Sequence, residues 1–303
     1  MTLRGGQAKE RYYNSYYTEI FMNKAVFKSP EGKNKIIRAY EDAITNSSLN
    51  LKTNRLKTTY GDTYFLEAGS QQQEVLILLH GASSNATSWI SDIAEYSKQY
   101  KVIAIDIIGE AGKSAETRPS YQTRDFAEWL KEIFDMLNIR KASIIGLSQG
   151  GWLALRFTIS YPDQVDRLIL LTPAGVIPTK TSFIIKALFY SLLGTNGRIK
   201  INSLVLGKQR VDSKIISFMD LIQTNFNARI EKEYIFSDDE LSRLTMPVLL
   251  IGGDQDVIRS TQAIAARLQN IVKDITVNII PKTGHVLVGL TSPVLTFLKM
   301  TKS

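Results

Sequence analysis

Ser148 lies in Gly146-Leu147-Ser148-Gln149-Gly150, between an apolar run at residues 143–145 and a helix-forming stretch that starts at Gln149. A strand that stops, turns and becomes a helix within this pentapeptide strains the serine backbone, and the small residues at 146 and 150 relieve clashes around it. The serine Oγ is then held at a helix N-terminus, where the helix dipole favours developing negative charge. A hydroxyl is a poor nucleophile near neutral pH and needs a neutral imidazole to take its proton. That imidazole needs a carboxylate to fix its tautomer and to stabilise the imidazolium. The chain has 2 histidines and no cysteine, so the base is His80 or His285 and a thiolate nucleophile is excluded. His285 follows the apolar run 276–280 in Thr283-Gly284-His285, and Asp256 follows the run 248–251 in Gly253-Asp254-Gln255-Asp256. The chain order serine, aspartate, histidine is the one this strand–turn–helix arrangement uses. Asp254 is the second candidate for the acid. Residues 172–174, Thr-Pro-Ala, follow the run 168–171 and offer no carboxylate.

A second cluster, His80-Gly81-Ala82-Ser83, closes the apolar run 75–79. A loop there points backbone N–H groups toward the same edge as Ser148. The N–H groups of Ala82 and Gln149 are the candidate oxyanion hole, each such donor being worth ~2.7–4 kcal/mol of barrier. His80 is an alternative base, but its place at the strand end makes it a residue that shapes this loop. Gly112-Lys113-Ser114 resembles the end of a phosphate-binding loop, yet the glycine such a loop requires five positions earlier is Ile107.

These residues need a sheet to carry them. The runs 75–79, 102–105, 143–145, 168–171, 248–251 and 276–280 are nearly unbroken and rich in β-branched residues, as in strands buried on both faces of a parallel sheet. Helical patterns lie between them at 88–97, 122–137, 149–161, 261–268 and 286–299. Residues 51–59 and 63–68 flank Tyr60-Gly61-Asp62 and predict an antiparallel hairpin. The expected fold class is α/β, with about eight mostly parallel strands and helices on both faces. Residues 51–175 and 244–303 form that core. Residues 176–243 interrupt it with apolar helical stretches at 183–193 and 213–224, which predict a helical cap over the strand ends. Residues 1–50 form an N-terminal helical extension. Tyr13, Tyr16, Tyr17, Ile20 and Phe21 share one stripe, and Ser29-Pro30-Glu31 starts a second helix. The extension suits a flank of the sheet, with a membrane surface or a partner helix as alternatives.

Composition narrows the partners. The net charge of +8 raises nucleic acid or an anionic surface as a possibility. Residues 1–60 carry +6 of it, whereas residues 61–175, which contain Ser148, carry −4. No dense Lys/Arg run occurs, so a solvated basic surface is expected and nucleic acid is not. The N-terminus has no apolar run of signal-peptide type. No segment approaches the ~18 consecutive apolar residues of a membrane span. A cytoplasmic protein without a transmembrane segment is the expectation, and the oligomeric state is left open.

Further matches accompany the serine turn. They are His80-Gly81 with Trp89 downstream, Asp106 with Gly109 and Ser114, Gly146–Gly151, the run 161–168 (YPDQVDRL), Asp256 and Gly284-His285. In these residues the chain resembles the α/β-hydrolases of the bacterial serine carboxylesterase type, over about residues 60–175 and 245–300. The resemblance implies hydrolysis of a carboxylic ester through an acyl-enzyme, with Ser148 as nucleophile, His285 as base and Asp256 as acid, and no metal or organic cofactor. A serine nucleophile departs from the aspartate of the related haloalkane dehalogenases and epoxide hydrolases. The segment after Asp106, IIGEAGKS, carries one residue more than the family's usual Asp-x-x-Gly-x-Gly-x-Ser. The same triad and fold also serve a carbon–carbon bond hydrolase, or a ligand-sensing protein with slow turnover. Phe183, Leu188, Phe189, Leu192 and Leu193 of the cap predict a small-molecule ester with a moderately hydrophobic acyl or alcohol group.

Overall fold

The computed structural model describes residues 25–300. Among them one sheet is built from β1 (Lys52–Thr58), β2 (Gly61–Ala68), β3 (Val75–Leu79), β4 (Lys101–Ile105), β5 (Ala142–Leu147), β6 (Val165–Leu171), β7 (Val248–Gly253) and β8 (Ile275–Ile280). Its order is β1-β2-β4-β3-β5-β6-β7-β8. The hairpin β1–β2 is antiparallel and β2 meets β4 antiparallel, while every pair from β4 to β8 is parallel. This is the α/β-hydrolase architecture.

Both faces are covered, which is why the strands read as unbroken apolar runs. Ile77, Leu79, Ile144, Leu168 and Leu250 face one side, packed by α3 (Asp125–Met136), α4 (Gln149–Ser160) and α9 (Thr261–Ile271). Leu76, Leu78, Ile145, Ile169 and Leu249 alternate to the other side, packed by α2 (Ile90–Tyr96) and α10 (Thr291–Lys299). The expected helix 88–97 is split, with a 3-10 turn (Ala86–Trp89) ahead of α2, because the Asn85 side chain caps the turn at Thr87 N–H. The last helix starts five residues later than its pattern suggests. The N–H groups of His285 and Val286 are both tied to the Val205 carbonyl, at 2.8 and 3.2 Å, and Gly289 takes φ +70°.

The insertion between β6 and β7 holds α5 (Thr181–Ser191), α6 (Gly194–Leu206), α7 (Ser213–Asn225) and α8 (Asp238–Leu241). Helix α6 has no clear apolar stripe in its sequence, GTNGRIKINSLVL, and was not expected. Val176, Phe236, Leu241 and Leu244 are buried in the main core, so the part standing over the strand ends is α5–α7. Helix α5 buries none of its residues.

Before the sheet, Ser29 caps α1 (Pro30–Thr45) by accepting from Gly32 N–H at 3.0 Å. Ile36 of α1, with Val26 and Phe27, packs on Ile222 and Phe226 of the cap, the two phenyl rings meeting edge to face at 5.9 Å. The extension therefore grips the cap as well as flanking the sheet. The stripe Tyr13 to Phe21 lies outside the described residues. Among the described residues no helix is long and apolar enough to cross a membrane.

Candidate active site

The turn from β5 into α4 forces Ser148 to φ +51° and ψ −108°, outside the regions a residue with a side chain ordinarily adopts. Its backbone is pinned by Ser148 N–H to the Leu171 carbonyl at 2.9 Å, and its own carbonyl accepts from Trp152 and Ala174 at 3.0 Å. The neighbours are small by necessity. A Cβ on Gly146 would lie 2.3 Å from the Gly150 carbonyl oxygen, and one on Gly150 would lie 2.1 Å from that of Leu79.

The Ser148 hydroxyl sits 2.9 Å from His285 Nε2 and donates to it, while His285 Nδ1–H donates to Asp256 Oδ2 at 2.7 Å. Asp256 is buried and its other oxygen accepts from the amides of Ile258 and Arg259 at 2.7 and 3.1 Å. Burial pushes this carboxyl up, but the His285 hydrogen bond and charge and the two amides outweigh it and hold the pKa below the usual carboxylate value. Asp256 thus stays ionised, as an imidazolium partner must. Asp254, the other candidate acid, is exposed and turned to the Thr283 amide at 3.3 Å. The loop of Asp256 is further tied down by Lys180, whose Nζ donates to the Asp256 carbonyl at 2.6 Å. Buried Arg259 donates to Thr179 Oγ1 at 2.9 Å and pairs with Glu233. Arg259 and Lys180 carried no sequence signal, since nothing in a single chain distinguishes them from other basic residues.

On the opposite side, Gly81 follows β3 and brings Ala82 toward the serine turn. A Cβ at Gly81 would lie 3.7 Å from that of Ser148. Among the described residues no acceptor meets the backbone N–H of Ala82 or Gln149. Both amides are therefore available to a developing oxyanion. His80 is fully buried, and both its ring nitrogens are engaged away from Ser148. Its Nδ1–H donates to the Gly81 carbonyl at 2.8 Å and its Nε2 accepts from Ile107 N–H at 3.0 Å. Burial lowers its pKa to about 4, which keeps it neutral. The segment after β4 supports the same loop from below. Asp106 accepts from Ala86 and Lys113 N–H at 2.7 and 2.8 Å, and Asn85 Nδ2 donates to the Ala111 carbonyl at 2.8 Å.

The cap supplies less of a binding wall than its composition suggests. Leu188, Phe189, Leu192 and Leu193 are 40–79% exposed, so these four are not packed into the core. The helix is apolar on every side, and only one side of it can turn inward. Phe183, half-buried, lines with Leu204 a cavity of about 270 Å³ beside residues 254–257, which neither Ser148 nor His285 lines.

Comparison with known proteins agrees with the fold. The family model of the α/β hydrolase fold matches residues 74–194. The chain is 32% identical over 272 residues to a protein described as an uncharacterized carboxylesterase, nap, from Bacillus subtilis, covering 85% of this chain and 89% of that one. It is 28% identical to the carboxylesterase YbfK of the same organism, covering 86% and 90%. Two solved structures superpose closely. They are the Bacillus subtilis carboxylesterase CesB (YbfK), at TM-score 0.80 and 26% identity over 89% of this chain and 99% of that one, and the Bacillus subtilis naproxen esterase, at 0.79 and 28% over 90% and 100%.

Proposed function

Because the chain belongs to the α/β-hydrolase fold family and is a carboxylesterase-like hydrolase, we propose that it cleaves a small-molecule carboxylic ester through an acyl-enzyme on Ser148. His285 Nε2 takes the Ser148 proton as Oγ attacks the ester carbonyl carbon. The tetrahedral oxyanion is met by the N–H groups of Ala82 and Gln149, which gain most where charge develops. His285 passes its proton to the leaving alcohol as the carbon–oxygen bond breaks. A water then gives its proton to His285 and attacks the acyl carbonyl, and collapse returns the proton to Ser148 and releases the acid. Asp256 holds the imidazole in the Nδ1–H form throughout and stays ionised beside it. The observation carrying this reading is the unbroken relay Ser148–His285–Asp256, at 2.9 and 2.7 Å.

A panel of p-nitrophenyl esters with a fluorophosphonate label tests it. Turnover together with labelling, both lost in Ser148→Ala, is the expected result. Tight binding of the esters without release of p-nitrophenol would instead move the assignment to a ligand-sensing protein. The cytoplasm is the compartment proposed, to be checked by fractionating the source cells.

A further inference from the structure

The segment IIGEAGKS, one residue longer than the usual pattern, holds a carboxylate that the reaction scheme above does not use. Glu110 lies in the loop after β4, between Gly109 and Gly112, and is 4% exposed. Its Oε2 accepts from the N–H of Ser83 at 2.7 Å. Ser83 is the residue after Ala82, and it takes φ +53°, a left-handed conformation that a serine holds only when its surroundings impose it. The buried side chain of Gln149 lies near the same carboxylate. One buried group thus binds the turn after β3, through the Ser83 amide, and stands beside the turn after β5, where Gln149 is. Burial raises the Glu110 pKa, and the Ser83 amide, the Gln149 side chain and the charges of Arg118 and Arg229 work against that rise. Arg118 is fixed by its bonds to the Gly109 and Asn227 carbonyls, at 3.0 and 2.7 Å, and the Arg229 guanidinium lies over the Tyr121 ring at 4.1 Å.

We propose that Glu110 is a positioning residue of the oxyanion hole: its carboxylate binds the amide next to Ala82 and stands beside Gln149, and so sets where the Ala82 N–H lies relative to that of Gln149. The proposal rests on the assignment of Ala82 and Gln149 as the donors of that hole. It also gives the longer loop a task. With the usual shorter loop, the backbone passes from one glycine to the next with a single residue between them, whereas here two residues, Glu110 and Ala111, stand between Gly109 and Gly112. The hole acts on the transition state rather than on the bound ester, so loss of its geometry lowers kcat and leaves KM nearly alone.

The test uses the full chain with Glu110→Ala, Glu110→Gln and Gln149→Ala, the last keeping its backbone N–H. Three quantities are read: kcat and KM on p-nitrophenyl butyrate, and affinity for a trifluoromethyl ketone that forms a tetrahedral adduct with Ser148. Glu110→Ala is expected to lower kcat about 10- to 100-fold with KM within about twofold, since removing one oxyanion donor outright costs about 10²–10³. Its affinity for the ketone should fall by the same factor as kcat/KM. Glu110→Gln keeps an oxygen for the Ser83 N–H and should recover most of the loss. Gln149→Ala should show the same kcat-only pattern in milder form, and it carries the test if Glu110→Ala does not fold. Unchanged kcat and ketone affinity in Glu110→Ala or Gln149→Ala would overturn the proposal, as would a Glu110→Gln no better than the alanine. Ser148→Ala separates the two levels: if it still turns over ester, the reaction scheme itself fails. If it is inactive while the Glu110 and Gln149 variants behave as wild type, only the role of Glu110 fails.

Discussion

At the scale of single residues, the chemistry depends on which acid reaches His285 and in what charge state. Spacing left Asp254 and Asp256 two positions apart as rival acids, and only the fold shows that one is buried against the imidazole while the other faces outward. Asp256→Asn should therefore cost about 10⁴ in kcat, by supplying the wrong partner to Nδ1, whereas Asp254→Asn should change it little. The reverse ranking in ester hydrolysis would transfer the role. Ser148→Ala should lose on the order of 10⁶ in turnover while keeping a wild-type melting curve. A collapsed melting curve would show that the loss reported on folding. Acidification should depress kcat/KM because only neutral His285 accepts the serine proton. Asp256, with its pKa held below the usual carboxylate value, stays ionised over the range in which an ordinary carboxylate does. A rate that stays flat as the pH is lowered would remove His285 from the base role.

At the scale of elements, two junctions matter: β5 into α4, and the ends of β3 and β4. At the first, Gly150→Ala would drive a Cβ to 2.1 Å from the Leu79 carbonyl, backbone that cannot move without shifting β3. It should lose several degrees of melting temperature and most activity together. Intact stability would show that the turn has more room than its geometry allows. At the second junction, His80 and Asp106 make stability depend on pH in opposite directions. His80 has a pKa of about 4 when folded against 6.5 ordinarily. The unfolded chain therefore takes up that proton first, and acidification from pH 6.5 to 4 removes roughly 3 kcal/mol of stability. Asp106 is raised by burial to about 6 from 3.8, so the folded chain protonates first and acidification over that span restores a similar amount. Wild type should show little change in urea midpoint from pH 6 to 4, while Asp106→Asn should lose stability steadily. Equal slopes for the two proteins would refute the opposition. Most of these elements were legible beforehand, because a strand buried on both faces writes an unbroken apolar run and a helix on a sheet writes one stripe. The start of α10 was not, because it is set by a hydrogen bond to a residue 80 positions away in the chain, Val205. Ser148, His285 and Asp256, which the fold brings into one hydrogen-bonded line, were legible from residue type and place. Lys180, Arg259 and Glu110 were not, since their importance lies in what they touch.

At the scale of the molecule, the cap is where sequence patterns said least. Its helices are short, α5 is apolar on all sides, and α6 carries no stripe to orient it. Hydrophobicity alone could not tell the residues beside the site from those facing solvent. What fixes the cap is its packing on α1 through Phe27, Ile36, Ile222 and Phe226. Phe226→Ala should cost about 3–5 kcal/mol locally and speed amide exchange in α1 and α7 together, with α4 unaffected. Faster exchange confined to α7 would mean that the extension does not hold the cap. The cap is also wired into the reacting groups, since the Val205 carbonyl of α6 receives the His285 amide and Lys180, just before α5, holds the Asp256 carbonyl. The backbone carrying His285 and Asp256 is therefore held partly from outside the sheet, so a substitution that shifts α6 or Lys180 can reach both residues without touching either.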